Sequence, residues 1–156
     1  MPAPRSFRAL RAARRAAALP PASWRALGRV VPAVLAVRVA LWALPYRTVL
    51  GLFEPPARPG PTRSAAHAVA TLQVADWVGR TTLGDRPCLT QAIAARWLLG
   101  RAGFPSELKL GARRDAGQFL AHAWLEIDGQ VVLGGAASPT TYTALRSVSA
   151  PLSAAA

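Results

Sequence analysis

Asp85-Arg-Pro-Cys-Leu-Thr-Gln-Ala-Ile-Ala-Ala-Arg-Trp-Leu-Leu-Gly-Arg-Ala-Gly103 reads as one helix with both ends specified. Asp85 suits the N-cap, Pro87 the first turn, where a missing N–H costs nothing, and Gly103 the C-terminal stop. Leu89, Ile93, Leu98 and Leu99 supply the apolar stripe for a core. Cys88 then falls in the first turn, where unpaired backbone N–H groups and the positive end of the helix dipole favour thiolate over thiol, and Arg86 adds a positive charge. A nucleophilic cysteine is built in this way. A small buried hydrophobe is the other reading of a lone cysteine.

Beyond Phe104-Pro105, Leu108 and Leu110 alternate with Glu107 and Lys109 in a short half-buried strand, and residues 111–117 read as a polar loop. Residues 118–127, Gln-Phe-Leu-Ala-His-Ala-Trp-Leu-Glu-Ile, form a second strand. Asp128-Gly129 is a two-residue hairpin signal that returns the chain through residues 130–133. On the outgoing strand His122, Trp124 and Glu126 share one face, while Ala121, Ala123, Leu125 and Ile127 share the other, the expected core face. His122 is thereby presented where it can meet the Cys88 thiol if the helix packs there.

Working back toward the N-terminus, the charge divides sharply. The 156 residues carry 19 basic and 7 acidic side chains, a net +12, yet no acidic residue precedes Glu54. Residues 1–53 hold nine arginines and carry +9, leaving +3 for residues 54–156. Residues 1–25, rich in Ala, Arg and Pro, admit two readings: a short basic helix or a solvated tail. Arg14-Arg15 is not read as an export signal, because Pro20, Pro21 and Arg25 interrupt the apolar stretch that should follow. Val30 to Leu44 is almost wholly apolar, but fifteen residues fall short of the roughly 20 a membrane span needs, and Arg38 lies at the centre. With bulky Val30, Val34, Val37 and Leu41 on one side and Ala33, Ala36 and Ala40 on another, this helix is expected to be buried against the domain, with docking of a partner or of an anionic membrane surface as the second reading. Residues 54–63 contain four prolines and read as a linker and domain boundary. Ser64 can cap a following helix that turns Ala65, Val69, Leu72 and Val78 toward the core and ends near Gly79, with a loop from Thr81 to Asp85. His67 on that helix reads as a surface residue.

The apolar share of 52% suits one packed domain rather than disorder or two catalytic domains. One cysteine allows no intramolecular disulfide, which fits a reducing compartment such as the cytoplasm. Nucleic-acid binding is disfavoured despite the charge: the arginines sit among alanines, no aromatics interleave with them, and no helix-turn-helix, zinc or phosphate-loop spacing occurs.

Taken together, Cys88-Leu89 opening a helix, Trp97-Leu-Leu-Gly-Arg-Ala-Gly103, Phe104-Pro-Ser-Glu-Leu-Lys-Leu-Gly111 and Phe119-Leu-Ala-His-Ala-Trp-Leu-Glu-Ile-Asp-Gly129 resemble the transglutaminase-like leader peptidases of lasso-peptide biosynthesis, specifically the stand-alone peptidase of split systems. The resemblance covers about residues 64–145, and more weakly the apolar helix ending Trp42-Ala-Leu-Pro-Tyr46. It implies an α+β, papain/transglutaminase-like core, a Cys-bearing helix packed on a small antiparallel sheet. The domain order is then an N-terminal helical segment (1–53), a Pro-rich linker (54–63), the peptidase domain (64–145) and a tail (146–156). It further implies a cysteine peptidase that removes the leader from a ribosomally made precursor, with a small leader-recognition protein and an ATP-dependent cyclase as partners. Cys88 would be the nucleophile, His122 the base, and backbone N–H groups at the start of the Cys88 helix the oxyanion donors. That chemistry needs no metal and no cofactor. Scaffold or peptide-binding use of the same fold is the alternative.

The resemblance implies Asp128 as the carboxylate orienting His122. In a regular hairpin, however, Asp128 lies six residues, about 20 Å, along the strand. Gly134 and Gly135 should return beside His122 instead, and neither carries an acid. Three accounts remain open at this level: a bulge or shifted register that brings Asp128 closer, a backbone carbonyl or water doing the orienting, or a Cys–His dyad.

Overall fold

The structure, a computed structural model, describes residues 21–56, 63–82 and 88–148. The basic run before Pro21, the middle of the Pro-rich segment, the roles expected of Asp85, Arg86 and Pro87, and the chain beyond Val148 lie outside the described residues. Helix α1 (Pro21–Ala43) and the short α2 (Tyr46–Leu52) precede α3 (Ala65–Thr82) and α4 (Cys88–Arg101). Strands β1 (Glu107–Asp115), β2 (Gln118–Ile127) and β3 (Gln130–Leu133) follow, then one helical turn, α5 (Ser138–Thr141), and β4 (Thr143–Val148). The strands form an antiparallel sheet in the order β3-β2-β1-β4, giving the α+β class expected.

Helix α4 is the hub. Every residue from Thr90 to Arg96 is buried, between α1 and α3 on one side and β1 and β2 on the other. A helix enclosed this way must keep most of its girth small, and Ala92, Ala94 and Ala95 do so, while Ile93 and Leu99 fill the core as expected.

Helix α1 belongs to the same core. Ala26, Val30, Val34 and Val37 are fully buried in one cluster with Val74, Ala75, Ile93 and Leu125. It is also longer than the apolar run suggested: residues Ser23–Ala43 are long and apolar enough to cross a membrane by length and composition. The opposite face stays open, with Trp24, Leu35, Val39 and Trp42 exposed. Residues 54–63 do not separate two cores. Phe53 meets Trp97 edge-on at 5.8 Å, Pro55 packs against Gly100, and the Arg63 N–H donates to the Ala102 carbonyl at 3.0 Å. The carboxylate of Glu54 takes a forked pair of bonds from the buried Arg96 guanidinium, at 2.8 and 3.2 Å. Both described ends of this Pro-rich segment are thus strapped onto α4, which replaces the free linker expected there.

Other boundaries move as well. Helix α3 continues past Gly79 to Thr82, and its core face is Ala68, Thr71, Val74, Ala75 and Val78, leaving Val69 half exposed and Ala65 exposed. The loop expected at residues 111–117 is strand: β1 runs to Asp115 and turns at Ala116-Gly117, both at positive φ, with Asp115 paired to Gln118. The tail expected from residue 146 instead closes the sheet, with Val148 opposite Leu108.

Removing the Glu54 carboxylate strips an ion pair from a buried guanidinium. Glu54→Ala is expected to lower stability by about 2 kcal/mol, below the cost of a fully buried pair because a third of Glu54 faces water; urea unfolding measures it.

Candidate active site

The N-terminus of α4 abuts β2 where the sheet edge is open. Strand β3 pairs with β2 only from Leu125 to Ile127, so the edge of β2 at Ala123 has no strand partner among the described residues. Cys88 occupies that gap. Its thiol is hydrogen-bonded to the His122 ring and receives the backbone N–H groups of Ala123 and Leu89. Burial pushes the Cys88 thiol up, but the His122 hydrogen bond, the Ala123 N–H, the His122 charge and the Leu89 N–H together pull it below the ordinary cysteine value.

His122 is held from both sides. Its Nε2 lies 2.9 Å from the Gly134 carbonyl oxygen, so Nε2–H donates there and Nδ1 is the nitrogen left for Cys88. The hydrogen bond with Cys88 raises the imidazole above its usual value; burial opposes this, and the Gly134 carbonyl and the Cys88 charge add to the rise. A depressed thiol against a raised imidazole shifts the pair toward thiolate and imidazolium.

The Gly134 carbonyl is itself fixed. The buried Ser138 hydroxyl donates to it at 2.9 Å, using the oxygen's second lone pair. Gly134 sits at φ +102°, and a Cβ there would come within 2.6 Å of the Trp124 Cβ. Only glycine brings the backbone this close. Tyr142 packs its ring 4.8 Å from that of His122.

Around the pair opens a cleft of about 500 Å³, lined by Asp76, Arg80, Gln91, Leu120 and Tyr142 in addition to Cys88, His122 and Gly134. Gln91 is buried one turn beyond Cys88, its amide filling the space where a Cβ at Gly79 would sit.

Of the residues singled out in the sequence, Cys88 and His122 are brought together and Asp128 is not. Asp128 forms the β2–β3 turn at φ 51°, exposed, and the bulge in β2–β3 pairing at Leu125/Glu126 leaves it there. The orienting position expected for Asp128 is taken by the Gly134 carbonyl, one of the three accounts left open. His67 lies on α3, its Nδ1 3.4 Å from the Arg29 guanidinium, linking α3 to α1. The face reading of β2 needs two corrections: Ala123 and Leu125 do point to the main core, but Ala121, expected there too, is exposed at the cleft, and Trp124 on the His122 face is buried, its ring over Gly111. Gln91, Ser138 and Tyr142 were not foreseen. Gln91 had a signal, one helical turn past the cysteine on the same face; Ser138 and Tyr142 sit in a Ser/Thr-rich stretch whose folding back depends on β4.

Among known proteins, a family model described as transglutaminase-like superfamily matches residues 31–147. No curated protein and no solved structure matches the chain.

Two measurements probe this geometry. Because the Cys88 thiol is depressed and His122 raised, the iodoacetamide rate of the native protein should hold up below the ordinary thiol value of about 8.5 and fall only as the thiolate is protonated; His122→Ala should move that fall to higher pH. Gly134→Ala is expected to cost about 2–4 kcal/mol in urea unfolding, from positive φ and the Trp124 clash, whereas Asp128→Ala should leave the alkylation rate within about twofold.

Proposed function

The chain belongs to the transglutaminase-like superfamily, which includes cysteine peptidases, and on that premise we propose that it is a cysteine peptidase that removes the leader from a ribosomally synthesised lasso-peptide precursor. The observation that carries the reading is the hydrogen-bonded run from the Cys88 thiol through the His122 ring to the Gly134 carbonyl, lying in an open cleft.

In the proposed reaction the Cys88 thiolate attacks the scissile carbonyl and the carbon–sulfur bond forms as the carbonyl π pair moves to oxygen. Backbone N–H groups at the start of α4 stabilise that oxyanion. The imidazolium, carrying the thiol proton on Nδ1, gives it to the leaving amine as the carbon–nitrogen bond breaks, leaving the leader as a thioester on Cys88. His122 then takes a proton from water, whose oxygen displaces the sulfur. The Gly134 carbonyl keeps the ring aimed through both steps.

The precursor peptide is the substrate, with a leader-recognition protein and the cyclase as working partners in the cytoplasm. The exposed row Trp24, Leu35, Val39 and Trp42 on α1, beside exposed Arg25 and Arg38, is the face we assign to the recognition protein. Binding to anionic vesicles would redirect that face to the membrane surface.

A scaffold or peptide-binding role on the same fold is the second reading, favoured by one observation, that no carboxylate among the described residues is bonded to His122. Co-incubation with precursor and recognition protein, followed by mass spectrometry, decides between them. Wild type is expected to release the leader, and Cys88→Ala and His122→Ala to lose at least about a thousandfold in rate. Retained cleavage in either variant would sink the nucleophile–base assignment, and no cleavage by wild type would leave the scaffold reading.

A further inference from the structure

A second hollow, of about 440 Å³, opens between α3 and β3, walled by Val69, Leu72, Val131, Val132 and Leu133. It shares Asp76, Arg80, Gly134 and Gly135 with the Cys88 cleft, so the two form one continuous groove. Neither glycine puts a side chain over the junction. Asp76 and Arg80 at the waist are paired to each other one helical turn apart, so their charges cancel locally.

Two features make the outer half of this groove a place for a peptide. Strand β3 is the outermost strand on its side of the sheet, and its far edge carries backbone groups with no strand partner among the described residues. An extended chain can complete such an edge by main-chain hydrogen bonding. Val69, meanwhile, is an apolar side chain half exposed on α3 and turned into the hollow rather than the core. A non-polar side chain inserted there would cover it.

We propose that this hollow is the substrate's recognition subsite: the leader lies extended along the free edge of β3 and seats an apolar side chain against Val69, Leu72 and Val131. The spacing follows from the strand. Gly134 touches the catalytic imidazole, and Val131 lies three residues further up β3, about 10 Å away, so the seated residue is about the third before the scissile bond. It lies on the acyl side because, on the peptidase reading from which this inference proceeds, the leader is what remains on Cys88 as thioester.

Peptidyl chloromethyl ketones test this directly, because the warhead fixes the register: Cys88 sulfur forms a thioether as chloride leaves, and the peptide occupies the acyl side. With the full chain, acetyl-Leu-Gly-Ala-chloromethyl ketone is expected to inactivate about tenfold or more faster than its Asp-Gly-Ala counterpart. Val69→Asp should erase that preference while leaving the rate with 2-chloroacetamide, which reports the thiol and the fold, unchanged. Equal rates for the two peptidyl reagents on wild type overturn the inference, as does a preference that survives Val69→Asp with the small-reagent rate intact. The peptidase reading fails separately: a Leu preference in a protein that leaves the precursor uncut would keep the subsite and discard the hydrolysis.

Discussion

Burial of α4 on all sides is the constraint from which the rest of the architecture follows. A helix enclosed by α1, α3 and two strands can meet its neighbours closely only through small side chains, and Ala92, Ala94, Ala95 and Gly100 meet that requirement. Once seated, the helix has little freedom to slide or rotate. Its N-terminus therefore holds Cys88 at one position against β2, and the strap of Phe53, Glu54 and Pro55 on its opposite end resists withdrawal. The precision a nucleophile–base pair needs is supplied here by core packing.

The sheet contributes the other half through a register rather than through any single side chain. Strand β3 stops at Leu133, opposite Leu125, and the chain then leaves the ladder through two glycines at positive φ. That early stop leaves the Ala123 N–H for the thiol and folds the Gly134 carbonyl back onto His122. A carbonyl fixes tautomer and direction as a carboxylate would, but it brings only a dipole. Stabilisation of the imidazolium then falls mainly on the thiolate itself, which agrees with the Cys88 hydrogen bond being the largest cause of the rise at His122. In this pair each charge depends on the other, so losing either partner returns the remaining group toward its ordinary chemistry.

How much of this the sequence announced depends on whether the signal was local. The α4 stripe, the Asp128-Gly129 turn and the β2 alternation are short-range patterns, and they placed Cys88 and His122 on the right elements. Features set by distant partners were not legible. Residues 111–117 looked like a loop because Gly111 breaks propensity and Arg113, Arg114 and Asp115 are charged; Gly111 is needed because the Trp124 ring lies over it, and the charges tolerate the exposed end of a hairpin. Likewise prolines 55 and 56 looked like a linker because proline cannot join a regular element, yet an irregular segment can still pack, and this one does so through Arg96 from α4.

The basic, apolar N-terminal segment changes character under the same scrutiny. From residues 21 to 53 it is not an arm attached to a catalytic unit, since α1 buries Val30, Val34 and Val37 in the cluster that also holds Ile93 and Leu125. The Arg29–His67 contact adds a polar tie between α1 and α3, with His67 pushed down by burial, Arg29 and Arg63, so it stays neutral beside the guanidinium. Two functions are thereby divided between the faces of one helix. The inner face completes the core that fixes Cys88, and the outer face, where Trp42 is 89% exposed, has no neighbour among the described residues. An indole left that open on a helix so firmly seated is costly in water and adds nothing to the fold. Under the proposed function it is contact surface on a rigid mount, where a bound partner would be registered against the groove that leads to Cys88.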